Sequence, residues 1–336
     1  MILILSLEED YSTNEVVEWL LHFKTPFIRI NWEDKVIVEK IVLGEKNTEF
    51  DFSVNGGRLI NSNEITSFWY RRGDIKMQGR ERFSIPIHDK KLENLLQETL
   101  FDEIEVIKDM IYFFWEKNIL CIGSFHKRYN NKLIHLMEAR KVGLDTPDTM
   151  IGTKQLDFVS FFKKHPSGII VKPLSRCVFY NEESLIPDRT EKYFSQFVFE
   201  LERSDFKNIP NLFFPSLFQE KIKKKFEIRV FFLLGECYSM AIFSQNDDET
   251  KVDFRRYNLE KQNYRVPYNL PENIKNKIKI FMKNQGLNTG SLDIILSEEM
   301  KYYFLEVNPV GQFGMVSYPC NFKLEKRIAE KLITIH

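Results

Sequence analysis

The N-terminal residues alternate between apolar runs and polar segments in a way that predicts a β-α-β unit. "MILILSL" is a short continuous apolar run, which is typical of a buried strand. The segment "YSTNEVVEWLLHF" has an apolar stripe at helical spacing, and its candidate N-caps are Ser12, Thr13 and Asn14. "PFIRIN" then predicts a second strand. This order favours a small α/β N-terminal domain.

Further strands and a long helix are predicted before the middle of the chain. The strands are "KVIVEKIVLG", "TEFDFSVNGGRLIN" and "SFWYRRGD", and Asn55-Gly56-Gly57 is a turn signal. The segment "DKKLENLLQETLFDEIEVIKDMIYFFWEKN" keeps a helical period throughout. Its length predicts either one broken helix or two consecutive helices.

The remaining chain mixes helices with closely spaced strands. Helices are predicted at "NKLIHLMEARKVGL", where Gly143 is a C-terminal stop, and at "LDFVSFFKKHP", "PENIKNKIKIFMKNQGL" and "FKLEKRIAEKLI". Strands are predicted at "TPDTMIG", "GIIVKPL", "NLFFPSLFQEKI", "FEIRVFFLLG", "CYSMAIFSQ" and "DFRRYN". The pattern predicts an α/β (α+β) fold class with boundaries near residues 118–125 and 193–210.

Composition excludes several classes of protein. The 336 residues include 48 Lys+Arg and 48 Asp+Glu, so no overall charge attracts nucleic acid or an anionic membrane, and neither partner is expected. No basic segment precedes the first apolar run and no apolar run reaches membrane-spanning length, so neither a signal peptide nor a membrane span is expected. The four cysteines form no C-x-x-C pair, which favours a reducing cytoplasm. A homodimer is the commonest assembly of soluble proteins and is the expectation here.

A cluster of oxygen ligands is predicted near the C-terminus. "SLDIIL" and "KYYFLEVNP" are predicted to be adjacent strands joined by "SEEM". Asp293 lies on the first strand, and Glu306 and Asn308 lie two apart on the second, so the latter two share a face. Two carboxylates and an amide oxygen suit Mg²⁺, with water and phosphate oxygens completing its coordination. The alternative is a set of solvated polar residues on a sheet face.

Two lysines are candidates for binding phosphate. Lys172 ends the apolar strand in "GIIVKP", and Lys132 lies in "NKLIHL". A lysine side chain is a flexible stem with a compact charge, which suits a phosphate oxygen. The alternative for each is a surface lysine that extends its charge into solvent, which single lysines more often are, and this applies to Lys132 most.

A third segment, "LFQEKIKKKFEIRVFFLLGE", is a candidate nucleotide-binding region. Backbone groups at the strand end Gln219-Glu220-Lys221-Ile222 are suited to the edge of an adenine base, and Ile222 to its face. Glu227 is suited to ribose hydroxyls, and Arg229, on the same strand face, to a phosphate. The alternative is a hairpin with a solvated lysine-rich turn. In "DFRRYN", Arg255 and its neighbour Arg256 are suited to a phosphate in transfer or form a surface pair.

These segments occur in an order that resembles the ATP-grasp ligases. Within that superfamily the chain resembles the graspetide, or omega-ester peptide, synthetases of the microviridin type, and in detail the grasp-with-spasm subgroup. The blocks that carry this resemblance are "FWYRRGD", "NKLIHLMEARKVGLDTPDT", "EIRVFFLLGE" and "FLEVNPVGQF". The resemblance implies an ATP-grasp fold with an N-terminal domain at 1–118 and central and C-terminal subdomains at 119–195 and 196–336 that hold ATP between them.

The resemblance also implies roles for individual residues. Lys132 and Lys172 contact ATP, residues 219–222 bind adenine, and Glu227 binds ribose. Asp293, Glu306 and Asn308 hold Mg²⁺, and Arg229 and Arg255 are the catalytic cations that steady the acyl phosphate. The family joins Asp or Glu side chains of a precursor peptide, through acyl phosphates, to Ser or Thr hydroxyls or Lys amines. It thereby forms ester or amide macrocycles and recognises a leader segment of the peptide.

The sequence departs from the ATP-grasp pattern in one place and leaves two other functions open. The "VKP" strand is followed by "LSRCVFYNEES", without the glycine-rich loop that many ATP-grasp enzymes have there. One alternative function is an intermolecular ligase that adds an amino acid to a protein or peptide, as the more distantly similar ribosomal-protein glutamate ligases do. The other is a nucleotide-binding regulator without turnover. Arg71 and Arg72 are assigned either to the substrate cleft or to a structural salt bridge.

Overall fold

The computed structural model describes residues 1–45, 47–78, 89–129, 131–174, 179–182, 192–195, 198–246 and 263–334. The chain divides into two compact units. Unit 1 comprises Met1–Tyr129, Gly286–Gly290 and Gln312–His336, and unit 2 comprises Asn130–Gln285 and Ser291–Gly311. The finer division into three domains stays a prediction.

Unit 1 contains two sheets and the N- and C-terminal helices. Its strands are β1 (Ile2–Ser6), β2 (Phe27–Asn31), β3 (Lys35–Leu43), β4 (Thr48–Val54), β5 (Ile60–Asn61), β6 (Ser67–Tyr70), β7 (Lys76–Met77) and β8 (Leu120–Ile122). Its helices are α1 (Tyr11–His22), α2 (Lys90–Asn118), α6 (Gly314–Cys320) and α7 (Leu324–Ile333). The long apolar-periodic segment is therefore one continuous helix, α2.

The predicted β-α-β start is confirmed as part of a parallel sheet in the order β2-β1-β6-β8. The predicted caps of α1 are wrong, because Asp10 is the N-cap and its carboxylate accepts a hydrogen bond from the Thr13 N–H. Asp10 also lies 3.4 Å from Nε of Arg71 and 3.2 Å from Nε of Arg72. Both arginines therefore take part in a salt bridge at the start of α1.

The core of unit 1 covers both faces of this parallel sheet. Neighbouring residues of a strand point to opposite faces. Phe68 on β6 packs against Tyr112 and Trp115 of α2, whereas the adjacent Trp69 packs against Phe313. Trp115 also contacts aromatic rings of β4, so α2 packs against both sheets of the unit.

Among the described residues, unit 2 contains the second set of sheets and three helices. Its strands are β9 (Thr149–Lys154), β10 (Ile169–Lys172), β11 (Phe179–Glu182), β12 (Lys192–Ser195), β13 (Phe199–Leu201), β14 (Leu212–Glu220), β15 (Lys224–Leu233), β16 (Glu236–Phe243), β17 (Tyr264–Pro267), β18 (Thr289–Ser297) and β19 (Tyr302–Asn308). Its helices are α3 (Lys132–Lys141), α4 (Gln155–Lys164) and α5 (Glu272–Asn284). The predicted stop of α3 is confirmed, since Gly143 has a φ of 78°.

Two sheets of unit 2 are joined at the predicted nucleotide-binding segment. One has the strand order β13-β10-β14-β9 and the other has the order β17-β16-β15-β18-β19. β14 belongs to the first and β15 to the second, so the chain crosses between sheets through residues 221–223. The alternative of a hairpin with a lysine-rich turn is therefore wrong. Lys224 and Lys225 belong to β15 and not to a loop.

None of the helices in the described part of the chain combines the length and apolar character needed to span a bilayer.

Replacing Phe68 with Ala should strongly destabilise unit 1, because the ring is fully buried against Tyr112 and Trp115. A cavity of this kind costs about 3–5 kcal/mol. The matched control is Phe113→Ala on α2, whose ring is 56% exposed and should cost about 1 kcal/mol. Urea denaturation followed by circular dichroism measures both, and equal losses would contradict this account of the core.

Candidate functional site

A β-bulge in β19 places the two predicted metal-binding carboxylates on one face of the sheet. Asp293 pairs with Glu306 and Ile294 pairs with Phe304, so Leu305 is an extra residue in β19. Because Asp293 and Ile294 point to opposite faces, Glu306 and Phe304 do so too. Phe304 packs against Phe281 of α5 on the helix-covered face. Asp293 and Glu306 lie directly opposite each other on the other face.

Each of these carboxylates has a cation beside it. Arg229 on β15 donates a hydrogen bond to Oδ1 of Asp293. Nζ of Lys132, the first residue of α3, lies 3.5 Å from Oε2 of Glu306. The four side chains are largely buried, with 12–21% of their surfaces exposed. Two nearby like charges in a partly dry site require this compensation.

Asn308 lies at the end of β19, opposite Ser291 in the register. Its side-chain oxygen accepts a hydrogen bond of 3.1 Å from the Val310 N–H, and its backbone oxygen accepts one of 3.0 Å from the Gly311 N–H. An amide oxygen has two lone pairs, so this bond leaves capacity for a second partner. The predicted oxygen triad thus lies on neighbouring strands.

Glu227 lies on the same face of β15 as Arg229, and it is buried. Lys224 and Ser244 both donate hydrogen bonds to its Oε1. Burial raises the pKa of Glu227, and the nearby charge of Asp293 adds to this, whereas Lys224 and Ser244 oppose it. The residue predicted to bind ribose is therefore a buried carboxylate that accepts hydrogen bonds from Lys224 and Ser244.

Lys172 is oriented by its neighbour in the sheet. Nζ donates a 2.8 Å hydrogen bond to Oε1 of Gln219, and Nε2 of Gln219 donates one of 2.9 Å to Oγ1 of Thr149. The Gln219 side chain is 2% exposed. Gln219 therefore positions Lys172, a role that the sequence did not reveal. Lys132 also donates to the backbone oxygen of Pro173, at 3.1 Å, so both lysines lie near the end of β10.

The predicted adenine-binding segment is fixed to the protein at several points. The Glu220 N–H donates to the Asp148 oxygen at 2.9 Å, and the Lys221 N–H donates to the Gly168 oxygen at 3.0 Å. Oε1 of Glu220 accepts a bond of 3.0 Å from the Asp148 N–H. Ile222 follows in the crossing between the two sheets. The Glu220 side chain is thus directed toward Asp148 and His165 of the same unit.

Another group of polar side chains lies beside this segment and was not found from the sequence. Asp148, His165 and Glu220 bring an imidazole and two carboxylates within 4.8 Å of one another. Asp148 and His165 lie 72 and 55 residues before Glu220 in the sequence, so the three residues form no sequence motif. The pairing of β9 with β14 brings Asp148 to Glu220, and the C-terminal end of α4 brings His165, so no local pattern signals the group.

The predicted arginines other than Arg229 fall into two groups, one outside the described residues and one in unit 1. Arg255, with Arg256, lies outside the described residues, as do Ser175 and Arg176 of the glycine-free loop. Arg71 is 4% exposed and lies over the Phe313 ring at 5.5 Å. Burial lowers the pKa of Arg71 to about 10, and the Asp10 carboxylate opposes this shift. Because Arg71 is buried and paired with Asp10, the salt bridge is a structural element of unit 1.

Comparison with known proteins gives matches among solved structures alone. No family model matches the chain, and no curated protein matches it.

Three solved structures match it over nearly their whole length. The macrocyclase MdnC from Microcystis aeruginosa MRC, bound with precursor peptide MdnA, is 25% identical, with 99% of both chains covered and a TM-score of 0.72. A RiPP-associated ATP-grasp ligase from Chryseobacterium gregarium, in complex with ADP and a leader and core peptide, is 22% identical, with 98% of this chain and 94% of that chain covered and a TM-score of 0.75. The ATP-grasp ligase PsnB, complexed with minimal precursor, Mg and ADP, is 16% identical, with 99% and 96% covered and a TM-score of 0.67.

The chain therefore has the fold of the ATP-grasp ligases. More particularly, it has the fold of the peptide macrocyclases of the graspetide type, as the sequence resemblance predicted. The two sheets joined at residues 221–223 and the carboxylate pair on β18 and β19 are its candidate active site.

Gly311→Ala should disturb the end of β19, because an added Cβ would lie 2.3 Å from both Cβ and Oγ of Ser291. Forced overpacking of this kind costs about 1–3 kcal/mol. Adding Ser291→Gly should recover part of this loss, since it removes the two closest atoms. Thermal unfolding of the single and double variants tests this.

The control is Gly235→Ala, where an added Cβ meets nothing within 4 Å, although the residue has a φ of 93°. It should cost about 1 kcal/mol. A double variant no more stable than Gly311→Ala would show that Ser291 is not the obstacle.

Proposed function

We propose that this protein is an ATP-dependent ligase that forms ester or amide macrocycles in a ribosomally made precursor peptide. The observation that carries the proposal is the pair of opposed carboxylates, Asp293 and Glu306, each next to a cation, within an ATP-grasp fold. The similar macrocyclase MdnC is bound with a precursor peptide, and the similar ligase PsnB with precursor, Mg and ADP. These similarities support a leader-bearing peptide substrate.

Asp293, Glu306 and Asn308 are the proposed Mg²⁺ ligands. Their donors are hard oxygens on adjacent strands, which fits this ion. The surplus negative charge of the two acids is offset by Arg229 and Lys132, as expected where a divalent cation exchanges with protein cations. When bound, Mg²⁺ would neutralise charge on the phosphates of ATP.

The nucleotide is proposed to lie between the two sheets of unit 2. Lys172, oriented by Gln219, and Lys132 supply positive charge for its phosphates. Backbone groups of residues 219–222, with Ile222 against the ring, bind adenine, and Glu227 binds ribose. Arg229 and Arg255 are the proposed catalytic cations, Arg255 on the sequence resemblance alone.

The proposed chemistry joins two side chains of one peptide. An Asp or Glu carboxylate of the peptide accepts the γ-phosphoryl group of ATP, and ADP leaves. A Ser or Thr hydroxyl, or a Lys amine, then attacks the acyl carbon and phosphate departs, so each bond removes one water from the peptide. The protein's contribution is positioning and charge neutralisation. We place the reaction in the cytoplasm, in keeping with widely spaced cysteines.

The intact mass of a precursor peptide after incubation with enzyme, ATP and Mg²⁺ tests the function. Loss of one or more waters, with ADP and phosphate formed, is the expected result. A gain of one amino-acid residue would favour the intermolecular ligase. Nucleotide binding without phosphate release, for every peptide tested, would favour the regulator.

Glu306→Gln should lower cyclisation about a hundredfold or more, because one charge of the proposed metal site is lost while the shape of the side chain is kept. The rate of water loss from the peptide measures this effect. The matched control is Glu299→Gln. Glu299 lies in the turn between the same strands and is 75% exposed, so its variant should react normally. Normal turnover of Glu306→Gln would remove this residue from the site.

Lys172→Ala should raise the Kd for ATP about tenfold or more, since a charge-assisted contact to phosphate is lost. Isothermal titration calorimetry measures the affinity. Lys154→Ala, at an exposed lysine at the end of β9 in the same sheet, is the control and should bind ATP as the wild type does. An unchanged affinity of Lys172→Ala would exclude its phosphate role.

A further inference from the structure

Glu220 is the last residue of β14, and its side chain is held from two sides. Oε1 accepts the 3.0 Å hydrogen bond from the Asp148 N–H. Oε2 lies 3.3 Å from Nδ1 of His165. Both carboxylate oxygens are therefore used by neighbouring segments, and the orientation of Glu220 depends on them.

His165 is itself rigidly placed. It caps the C-terminus of α4, where its N–H donates to the Phe162 oxygen at 3.1 Å. Its ring lies 4.5 Å from that of Phe161, and its side chain is 11% exposed. Nε2 lies 3.8 Å from Oδ2 of Asp148, so the imidazole lies between two carboxylates.

The backbone of His165 reaches the same segment by a second route. Its oxygen accepts a 3.0 Å bond from the Gly168 N–H, and the Gly168 oxygen accepts a 3.0 Å bond from the Lys221 N–H. Gly168 has a φ of 98°, a conformation that favours glycine. His165 thus contacts Glu220 by its ring and Lys221 through one intervening residue.

The charges around the imidazole are those of several elements. Besides Asp148 and Glu220, NH2 of Arg140 lies 3.9 Å from Oδ1 of Asp148. Lys221 is directed instead to Glu200, with Nζ 2.5 Å from Oε1. A Glu220 carboxylate without His165 would keep a backbone N–H as partner but lose the side-chain contact that fixes its second oxygen.

We propose that His165 is a positioning residue for the nucleotide base: by holding Glu220 it aligns the backbone of residues 220–222 for adenine. This rests on the proposed function, which places adenine at that segment. In the proposed arrangement the phosphates are served by Asp293, Glu306 and by Lys172, which Gln219 holds, so the proposed effect of residues 220–222 is on the base. Loss of His165 therefore raises the Kd and KM for ATP and leaves kcat at saturating ATP nearly unchanged.

The test compares His165→Ala with His165→Asn, because the Asn side-chain amide can place an N–H group near the position of Nδ1, which lies 3.3 Å from Glu220. Calorimetry with the full chain measures Kd for ATP and, separately, for inorganic tripolyphosphate. His165→Ala should raise the Kd for ATP about tenfold, as expected for the loss of a polar contact to a charged group. His165→Asn should raise it by about threefold or less. Tripolyphosphate, which has no base, should bind all variants equally. Lys164→Ala, at the exposed neighbouring residue, is the control.

Three results would overturn the proposal: unchanged ATP affinity in His165→Ala, equal losses in the Ala and Asn variants, or an equal loss for tripolyphosphate. The last would indicate a general structural effect, which thermal unfolding would register as well. Failure of the proposed function is distinguishable. A wild-type protein that binds ATP but cyclises no peptide contradicts the function, while the ATP affinities of the His165 variants still decide this inference.

Discussion

Two carboxylates held directly opposite each other on neighbouring strands repel, and unit 2 brings cations from separate elements to offset this. Asp293 and Glu306 come from β18 and β19, Arg229 from β15 and Lys132 from the start of α3. Because all four side chains are largely buried, an uncompensated acid there would be costly. The packing of α3 against β19 and the placement of β15 beside β18 are therefore conditions for the site.

The bulge at Leu305 lets one strand place Phe304 in the core and Glu306 at the candidate site. Strict alternation would put Phe304 and Glu306 on one face, so either the ring would be exposed or the acid would be buried among the helices. One extra residue in β19 directs Phe304 to α5 and Glu306 to Asp293. Bulges of this kind often re-aim side chains next to active sites. The same strand thereby contributes a ring to the core and a carboxylate to the candidate site.

The secondary structure was largely predictable, because apolar periodicity reports which face of an element is buried. The strands carrying Asp293 and Glu306 and the single stop at Gly143 follow from local patterns. The N-cap of α1 did not follow from a local pattern. It is Asp10 and not Ser12, Thr13 or Asn14, and Asp10 has added contacts with Arg71 and Arg72. The contacts of Gln219 with Lys172 and of His165 with Glu220 were also missed, because these partners are distant in sequence.

By itself the sequence determined the class of fold and the chemical types at the site. The order of its segments resembled ATP-grasp peptide maturases, and the fold matches such enzymes over 99% of the chain at 25% identity. Only the tertiary structure decided which groups meet. Pairing of β9 with β14 brings Asp148 to Glu220. The chain crosses between sheets at residues 221–223, so β14 and β15, which a hairpin would have paired, belong to different sheets. The hydrophobic pattern is local, so it can be read from the linear sequence. Charge pairing depends on the distance between groups in space and on their burial, which the sequence does not give.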